Sequence, residues 1–289
     1  MAIIELFKKD ASNNVDIALK IFPFIVEFTS QTLETDSSSN EVMFENILKW
    51  LLVCDEYTWI DDLFIDKIIK LYPKYIKSMI KLLDHEYPKI SYYALKCLGN
   101  IFNHEDSTYG EVILELGFMK IVINLFDSSR KIVKEVLWIL SNIANATEKM
   151  FLQIIEEKEI LNKILDIRDK TNEYGIVKEA ILLLHSIVHK GDPDIIKYLI
   201  DHQLFEFIIS HLQNHYQPSI IVYFLKCLYK IFQRGSDLDK NENLFVYQFR
   251  MLDREEILDA VHQKYGSNSE INLLHIIITD KYFKENDTL

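Results

Sequence analysis

Glycine and proline are scarce in this chain, with seven glycines and five prolines among 289 residues. β-Sandwiches and β-barrels need many tight turns, which these two residue types supply. Their scarcity excludes that class of fold, and the 49% of hydrophobic residues provides ample side chains for a helical core. The predicted fold class is therefore all-α.

The chain also has few cysteines and no long apolar run. The three cysteines, Cys54, Cys97 and Cys227, are far apart and form no CxxC pair, so we expect core thiols rather than a zinc site or a disulfide framework. No apolar run approaches the roughly 18 residues that a membrane-spanning helix needs. We therefore expect a protein of the cytoplasm and nucleus that does not associate with membranes.

Basic residues are outnumbered, because 32 Lys and Arg face 44 Asp and Glu, for a net charge of −12. Binding to phosphates needs clustered Lys and Arg, so nucleic acid is not an expected partner. An acidic surface suits basic partners. The alternative is that the acidity only keeps the protein soluble.

The chain does contain a repeat. When helix-like segments are aligned on one polar position, Asn100, Asn142, Ser186 and Lys230 lie 42, 44 and 44 residues apart. A second set of apolar segments keeps much the same spacing, and a shorter apolar stretch precedes each of them. Three helices in a unit of about 40 to 47 residues are typical of armadillo repeats. We predict an armadillo-repeat right-handed solenoid, an α-α superhelix.

We expect residues 1–289 to form a single array of this kind. Degenerate repeats are predicted at 1–60, better-formed repeats at 61–240 and a capping repeat at 241–289. Loops are expected where polar clusters interrupt the apolar period, and the longest of them is predicted at 234–243.

The segment 134–142 carries a polar stripe on an otherwise apolar helix. Glu135, Trp138 and Asn142 are spaced i, i+3 and i+7, so they project from one side. An Asn carboxamide can pair with the N–H and C=O of an extended peptide, while Trp and Glu can hold a Lys or Arg side chain. The alternative is that Trp138 is a core residue and that Asn142 caps its own turn.

This segment resembles the third helix of an importin-α armadillo repeat, which carries the same Trp-x-x-x-Asn pattern after Lys-Glu. Other segments are similar to successive repeats of that family. They are 94–101 for the sixth, 135–143 for the seventh, 178–199 for the eighth, 225–232 for the ninth and 252–283 for the tenth and last. The resemblance covers about residues 90 to 283.

The resemblance implies a nuclear transport adaptor that binds basic nuclear localisation signal peptides in a concave groove. It implies these peptide-binding residues: Lys96, Asn100, Glu135, Trp138, Asn142, Glu179 and Ser186. The last repeat implies contact with the nuclear export receptor.

The sequence also departs from the importin-α pattern. It lacks counterparts of the earlier repeats and of the basic N-terminal segment that recruits importin-β, so we expect a shortened, divergent relative whose importin-β coupling is in doubt. Leu182 and Ser186 stand where Trp and Asn are expected. The alternative is a non-catalytic scaffold or competitor that has lost full binding of signal peptides and importin-β.

The remaining motifs favour no chemistry. His185 with His189, and His211 with His215, are i, i+4 pairs, but neither has an evident third ligand, so no metal site is expected. No P-loop, GxGxxG, GxSxG or Cys-His signature occurs, so we expect neither an enzyme nor a cofactor. We interpret Lys226 and Lys230 as surface charges that end the groove, because they would repel a basic peptide.

Overall fold

The computed structural model describes residues 47–48, 51–52, 54–55, 62–71, 74–214, 217–238, 242–252 and 255–283. Within these ranges all regular structure is helical. This confirms the predicted all-α class. The degenerate repeats predicted at 1–60 fall largely outside the described residues. None of the helices in the described part is long and apolar enough to cross a bilayer.

The helices follow one another in groups of three. The first group is α1 (Asp62–Leu71), α2 (Lys74–Leu82) and α3 (Pro88–Phe102), and the second is α4 (Thr108–Glu115), α5 (Phe118–Leu125) and α6 (Arg130–Asn145). The third is α7 (Glu148–Glu156), α8 (Lys158–Leu165) with the short α9 (Ile167–Lys170), and α10 (Tyr174–Lys190). The last two are α11 (Pro193–Asp201), α12 (Leu204–Leu212), α13 (Pro218–Leu238), and α14 (Leu244–Met251), α15 (Glu255–Tyr265), α16 (Ser269–Tyr282). This order confirms the predicted armadillo-type repeats.

Local sequence signals explain where several helices begin. Pro88 lies in the first turn of α3, where its missing N–H costs no hydrogen bond. Asp192 precedes α11, and its carboxylate accepts a hydrogen bond from the Ile195 N–H at 2.8 Å, which satisfies one of the unpaired donors of that helix end. Gly117 adopts a left-handed φ of 86° between α4 and α5, a conformation that glycine reaches without strain.

The loop predicted at 234–243 begins too early, because α13 continues to Leu238. Asn243 explains the difference. Its side chain donates hydrogen bonds to the Phe232 carbonyl at 2.6 Å and to the Ser236 hydroxyl at 2.9 Å, and it accepts one from the Val246 N–H. One residue therefore fixes the last turns of α13 and caps α14, and Gly235 leaves room for it.

The chain divides into two compact units, residues 1–151 and 152–289. In the first unit, α3 packs against α2 and α6. The apolar faces of α3 and α6, which include Leu95, Leu98, Val136 and Leu140, are fully buried. The prediction of one continuous array over 1–289 stays a prediction.

In the second unit, α13 packs against α10 and α16. Its core is rich in aromatic side chains. The ring of Phe232 lies 5.4 Å from that of Phe249, 5.5 Å from that of Tyr282 and 5.6 Å from that of Phe283. These are distances at which aromatic pairs attract, so this cluster holds the last helices of the unit together.

All three cysteines are buried thiols outside any disulfide, which confirms the prediction of core thiols. Burial raises the pKa of Cys54, Cys97 and Cys227 well above that of an ordinary thiol. Reactive thiolates need a lowered pKa and exposure, so these side chains act as packing residues.

Candidate peptide-binding surface on two neighbouring helices

The stripe predicted on α6 lies beside the matching part of α3. Glu135, Trp138 and Asn142 are all partly exposed, whereas the opposite side of α6 is buried. Lys96 and Asn100 are the facing residues of α3. We call the residues Asp55, Tyr92, Lys96, Asn100, Glu135, Trp138 and Asn142 the α3/α6 surface.

Asp55 engages both predicted residues of α3. Lys96 Nζ lies 2.5 Å from Asp55 Oδ2, and Asn100 Nδ2 donates to the carbonyl and to Oδ1 of Asp55, both at 3.3 Å. Asn100 is only 5% exposed. Its donor group is therefore already used within the protein, and Lys96 has a resident counter-ion.

Glu135 is the carboxylate with the weakest pairing on this surface. The Tyr92 hydroxyl donates to Glu135 Oε1 at 3.4 Å, a long hydrogen bond. Burial raises the pKa of Glu135, and the nearby Asp55 adds to this, while Lys96 and Lys134 act in the opposite direction. A partly desolvated carboxylate of this kind gains from a cation that approaches it.

Aromatic side chains surround the charged groups. Lys96 Nζ lies 6.0 Å from the Tyr92 ring centre and 5.9 Å from that of Tyr93, at the outer limit of a cation–π contact. The indole of Trp138 packs over Gly99, where a Cβ atom would overlap Trp138 Cζ3. Glycine at 99 thus leaves room for the partly exposed indole of Trp138 against α3.

Asn142 has a donor without a partner among the described residues. Its Nδ2 is buried and has no hydrogen-bond partner in the part of the chain that the structure describes. Buried polar atoms are nearly always paired with protein or with water. The Asn142 side chain as a whole is partly exposed, and the role in peptide binding that the sequence pattern predicts for it stays a prediction.

The other two predicted site residues, Glu179 and Ser186, lie on α10 in the second unit. Glu179 is 7% exposed, and its Oε1 lies 3.5 Å from Lys178 Nζ. The Ser186 hydroxyl donates to the Leu182 carbonyl of its own helix at 3.1 Å. Their polar groups thus have partners on α10, whereas in the first unit Lys96 and Asn100 share Asp55, and Lys96 also acts on Glu135.

Sequence reasoning missed Asp55 and Tyr92. Asp55 lies 45 residues before Asn100, close to one repeat length, and this spacing is the signal that could have indicated a contact between repeats. Tyr92 precedes Lys96 by four residues and so shares its side of α3.

The structure describes three of the four paired histidines. Within the described residues, no group of three or more His, Cys, Asp or Glu side chains is placed to hold a metal ion. The rings of His185 and His189 stack with their centres 6.0 Å apart. His211 is fully buried and bonded to the Phe207 carbonyl at 2.8 Å, as in a core histidine. His215 lies outside the described residues.

The family comparison concerns more than half of the chain. The sequence model of the family described as "ELMO, armadillo-like helical domain" matches residues 64–213. This range includes α3 and α6. A search of curated proteins gives no match.

Similar solved structures are armadillo repeat proteins. The designed armadillo repeat protein YIII(Dq)4CqI is 16% identical, with a TM-score of 0.68 over 88% of this chain and 96% of that one. A computationally designed armadillo protein for modular peptide recognition is 16% identical, with a TM-score of 0.71 over 89% and 98%. A third, YIII(Dq.V1)4CPAF in complex with peptide (KR)4, is 17% identical, with a TM-score of 0.70 over 89% and 98%. At these identities the likeness shows the fold alone.

Proposed function

We propose that this chain, which belongs to the ELMO armadillo-like helical domain family, is a non-catalytic scaffold that holds a basic segment of a partner protein on the α3/α6 surface. Glu135 carries the proposal. Among the described residues it is a half-buried carboxylate with one long hydrogen bond and an aromatic neighbour, so it offers an incoming Lys or Arg a charged partner and an apolar wall.

Two further features support an extended peptide as the occupant. Asn142 is a partly exposed carboxamide whose buried Nδ2 lacks a partner among the described residues, and a rotation of this side chain would present the donor to a peptide carbonyl. The chain as a whole has a net charge of −12, which attracts a basic segment before contact is made. The designed armadillo protein in complex with (KR)4 illustrates a basic peptide on the same fold.

Glu135→Gln should weaken binding of a labelled (KR)4 peptide about tenfold or more. A charge-assisted hydrogen bond contributes about 1.5 to 3 kcal/mol, and about 1.4 kcal/mol corresponds to a factor of ten in Kd. Fluorescence polarisation at low and moderate salt would measure the change. Glu105→Gln is the matched control, because Glu105 is exposed on the loop before α4 and its loss removes the same charge.

Lys96→Met should act in the opposite direction and tighten binding of (KR)4 several-fold. Lys96 is the resident cation between Asp55 and Glu135, so its removal ends a repulsion of the incoming side chain. Equal effects of Glu135→Gln and Glu105→Gln, or weaker binding by Lys96→Met with the fold intact by circular dichroism, would contradict the proposal.

Acidification should release the basic peptide through the same carboxylate. Burial raises the pKa of Glu135, so its protonation begins at a higher pH than that of an exposed glutamate, and the affinity falls as pH falls from 7 towards 5. The free energy of unfolding depends on pH in the opposite direction. A raised pKa in the folded state means that the contribution of Glu135 to stability is lost as pH rises, so Glu135→Gln should increase the free energy of unfolding at pH 7.

The pH dependence of peptide affinity and the change in the free energy of unfolding can both be measured on one pair of proteins. Polarisation titrations from pH 5 to 7.5 and urea denaturation at pH 7 would compare wild type with Glu135→Gln. A variant that keeps the same pH profile for peptide binding would show that another group controls release.

A finer form of the proposal is that the basic segment is a nuclear localisation signal and that the chain works between cytoplasm and nucleus as an importin-α-like adaptor. The resemblance of 134–142 supports it, with contact to the export receptor through 252–283 as part of the same hypothesis. A localisation-signal peptide titrated against a scrambled peptide of equal composition tests it. A clear preference for the ordered peptide supports the adaptor, and equal affinity favours the scaffold.

A further inference from the structure

The solvent-facing side of α13 carries a stripe of polar and aromatic residues. Its members are spaced i, i+3, i+4, i+7 and i+8, which places them on one side of the helix. All are half-exposed, in the order Lys226, Tyr229, Lys230, Gln233 and Arg234. The residues between them, from Phe224 to Phe232, are buried in the core of the second unit. We call these five residues the α13 stripe.

The cations of the α13 stripe are only partly neutralised. Lys226 Nζ lies 2.8 Å from Glu270 Oε1, a pair that is exposed at both ends. Lys230 Nζ donates to the neutral Gln233 Oε1 at 3.0 Å, and within the described residues it meets no carboxylate. The stripe therefore keeps positive charge although the whole chain is strongly acidic.

Arg234 is the third cation of the α13 stripe. Its Nη2 donates to the His189 carbonyl at 3.3 Å, while its Nε is buried and has no hydrogen-bond partner in the described part of the chain. A guanidinium presents two donors side by side, a geometry that matches a carboxylate. Because this Nε is covered by protein, Arg234 offers an incoming carboxylate its positive charge and its Nη atoms.

The neighbouring helices add donors but little charge. His185 of α10 lies with its ring 5.4 Å from that of Tyr223, and burial, together with His189 and Lys226, lowers its pKa, so it is neutral at pH 7. On α16, Lys281 Nζ lies 5.8 Å from the Tyr229 ring centre and interacts with Asp237. The net positive charge thus comes from α13 itself.

We infer that the α13 stripe is a second binding surface, specific for an acidic peptide segment of a partner protein. Lys226, Lys230 and Arg234 follow one another at four-residue steps, about 6 Å along the helix. Alternate side chains of an extended peptide are about 6.8 Å apart, so carboxylates at every second position match the three cations. A long polyanion such as nucleic acid suits this surface less well, because the acidic remainder of the chain repels it.

The inference does not depend on the proposed function of the α3/α6 surface. A labelled eight-residue peptide of alternating Glu and Gly, titrated against the full chain by fluorescence polarisation, tests it. We expect saturable binding that weakens with salt, and a loss of tenfold or more in Lys230→Glu. Lys197→Glu is the matched control, because Lys197 is an exposed lysine of α11 paired with Asp201. Binding of (KR)4 should be unchanged in both variants.

A second variant should bind the acidic peptide more tightly than the wild type does. Glu270 is the resident partner of Lys226, so Glu270→Gln frees that cation, and we expect severalfold tighter binding. Lys230→Gln checks folding, because it removes the charge without introducing a new one and should lose affinity by a smaller factor. Circular dichroism of each variant would confirm that the helices are kept.

Three results would overturn the inference. The first is binding no tighter than that of a Ser-Gly peptide of the same length. The second is an equal effect of Lys230→Glu and Lys197→Glu in correctly folded proteins. The third is tighter binding of a twelve-nucleotide single-stranded DNA than of the acidic peptide, which would assign the stripe to nucleic acid instead.

Discussion

Gly99→Val should destabilise the first unit by about 1 to 3 kcal/mol and abolish binding of a basic peptide. A Cβ atom at position 99 would overlap Trp138 Cζ3 and lie 2.8 Å from Ile139 Cγ1 and 3.1 Å from Trp138 Cε3. Inserting carbon atoms into a packed site costs about 1 to 3 kcal/mol. Valine recovers only part of this through its better helix propensity, because glycine is about 1 kcal/mol worse than alanine.

Gly99→Val should also weaken peptide binding, because the new side chain clashes with Trp138, which is itself a proposed binding residue. Its indole is rigid, so it must rotate away from α3. Urea denaturation followed by circular dichroism measures the stability, and titration with (KR)4 measures the binding.

A double-mutant cycle provides the control for Gly99→Val. Trp138→Ala removes one of the two side chains that the new Cβ meets, so Gly99→Val should cost less in that background than in wild type. The cost should not vanish, since Ile139 remains. Additive effects of the two substitutions would show that the indole does not pack over Gly99.

Phe232→Ala should destabilise the second unit by about 3 to 5 kcal/mol, the cost of truncating a buried phenylalanine. Phe232 is fully buried, and its ring is surrounded by those of Phe249, Tyr282, Phe283 and Phe205, the last at 6.3 Å. The cavity cannot close easily, because these rings belong to three other helices and to the residue after α16. Loss of this aromatic cluster should therefore lower the local stability of α14 and α16 more than that of the other helices.

Hydrogen exchange and urea denaturation would follow the Phe232→Ala variant. Faster exchange is expected in α14 and α16, whose aromatic residues lose their common neighbour. Tyr247→Ala is the control, because Tyr247 on α14 is 53% exposed and its truncation should change the free energy of unfolding by less than about 0.5 kcal/mol. Equal losses in the two variants would refute the role of the cluster.

The two candidate surfaces have opposite character. The α3/α6 surface combines Asp55 and Glu135 with aromatic side chains and one resident lysine, whereas the α13 stripe presents two lysines and an arginine with one resident glutamate. In each case a resident counter-ion limits the charge, and its removal should raise affinity. A scaffold with both surfaces could hold a basic and an acidic segment, each measurable with its own peptide.

Much of the helical organisation could be predicted from the sequence. The positions of Asn100, Asn142, Ser186 and Lys230 on third helices follow from the repeat, and each lies on a helix of the expected kind. The shared side of Glu135, Trp138 and Asn142 follows from their spacing. The end of α13 differs from the prediction: the polar run from Arg234 predicts a loop, but Asn243 holds the end of the helix through the Phe232 carbonyl and the Ser236 hydroxyl.

The partners of the polar side chains could not be predicted in the same way. Lys96 and Asn100 were expected to face a peptide, yet both contact Asp55, which lies 41 and 45 residues earlier in the chain. Likewise, nothing in the order of residues indicates that Gly99 is the position over which Trp138 packs. Such contacts depend on the lateral register of neighbouring helices.

The sequence by itself determined the fold class, the repeat period and the stripes of residues that share a helix face. It could do so because helix formation and burial of an apolar face depend on spacing along a single segment, and every repeat buries the same face. Only the tertiary structure decided which polar groups are already satisfied and which are left for a partner. Hydrogen bonds and ion pairs require positions accurate to fractions of an ångström between residues far apart in sequence, and packing between repeats sets those positions.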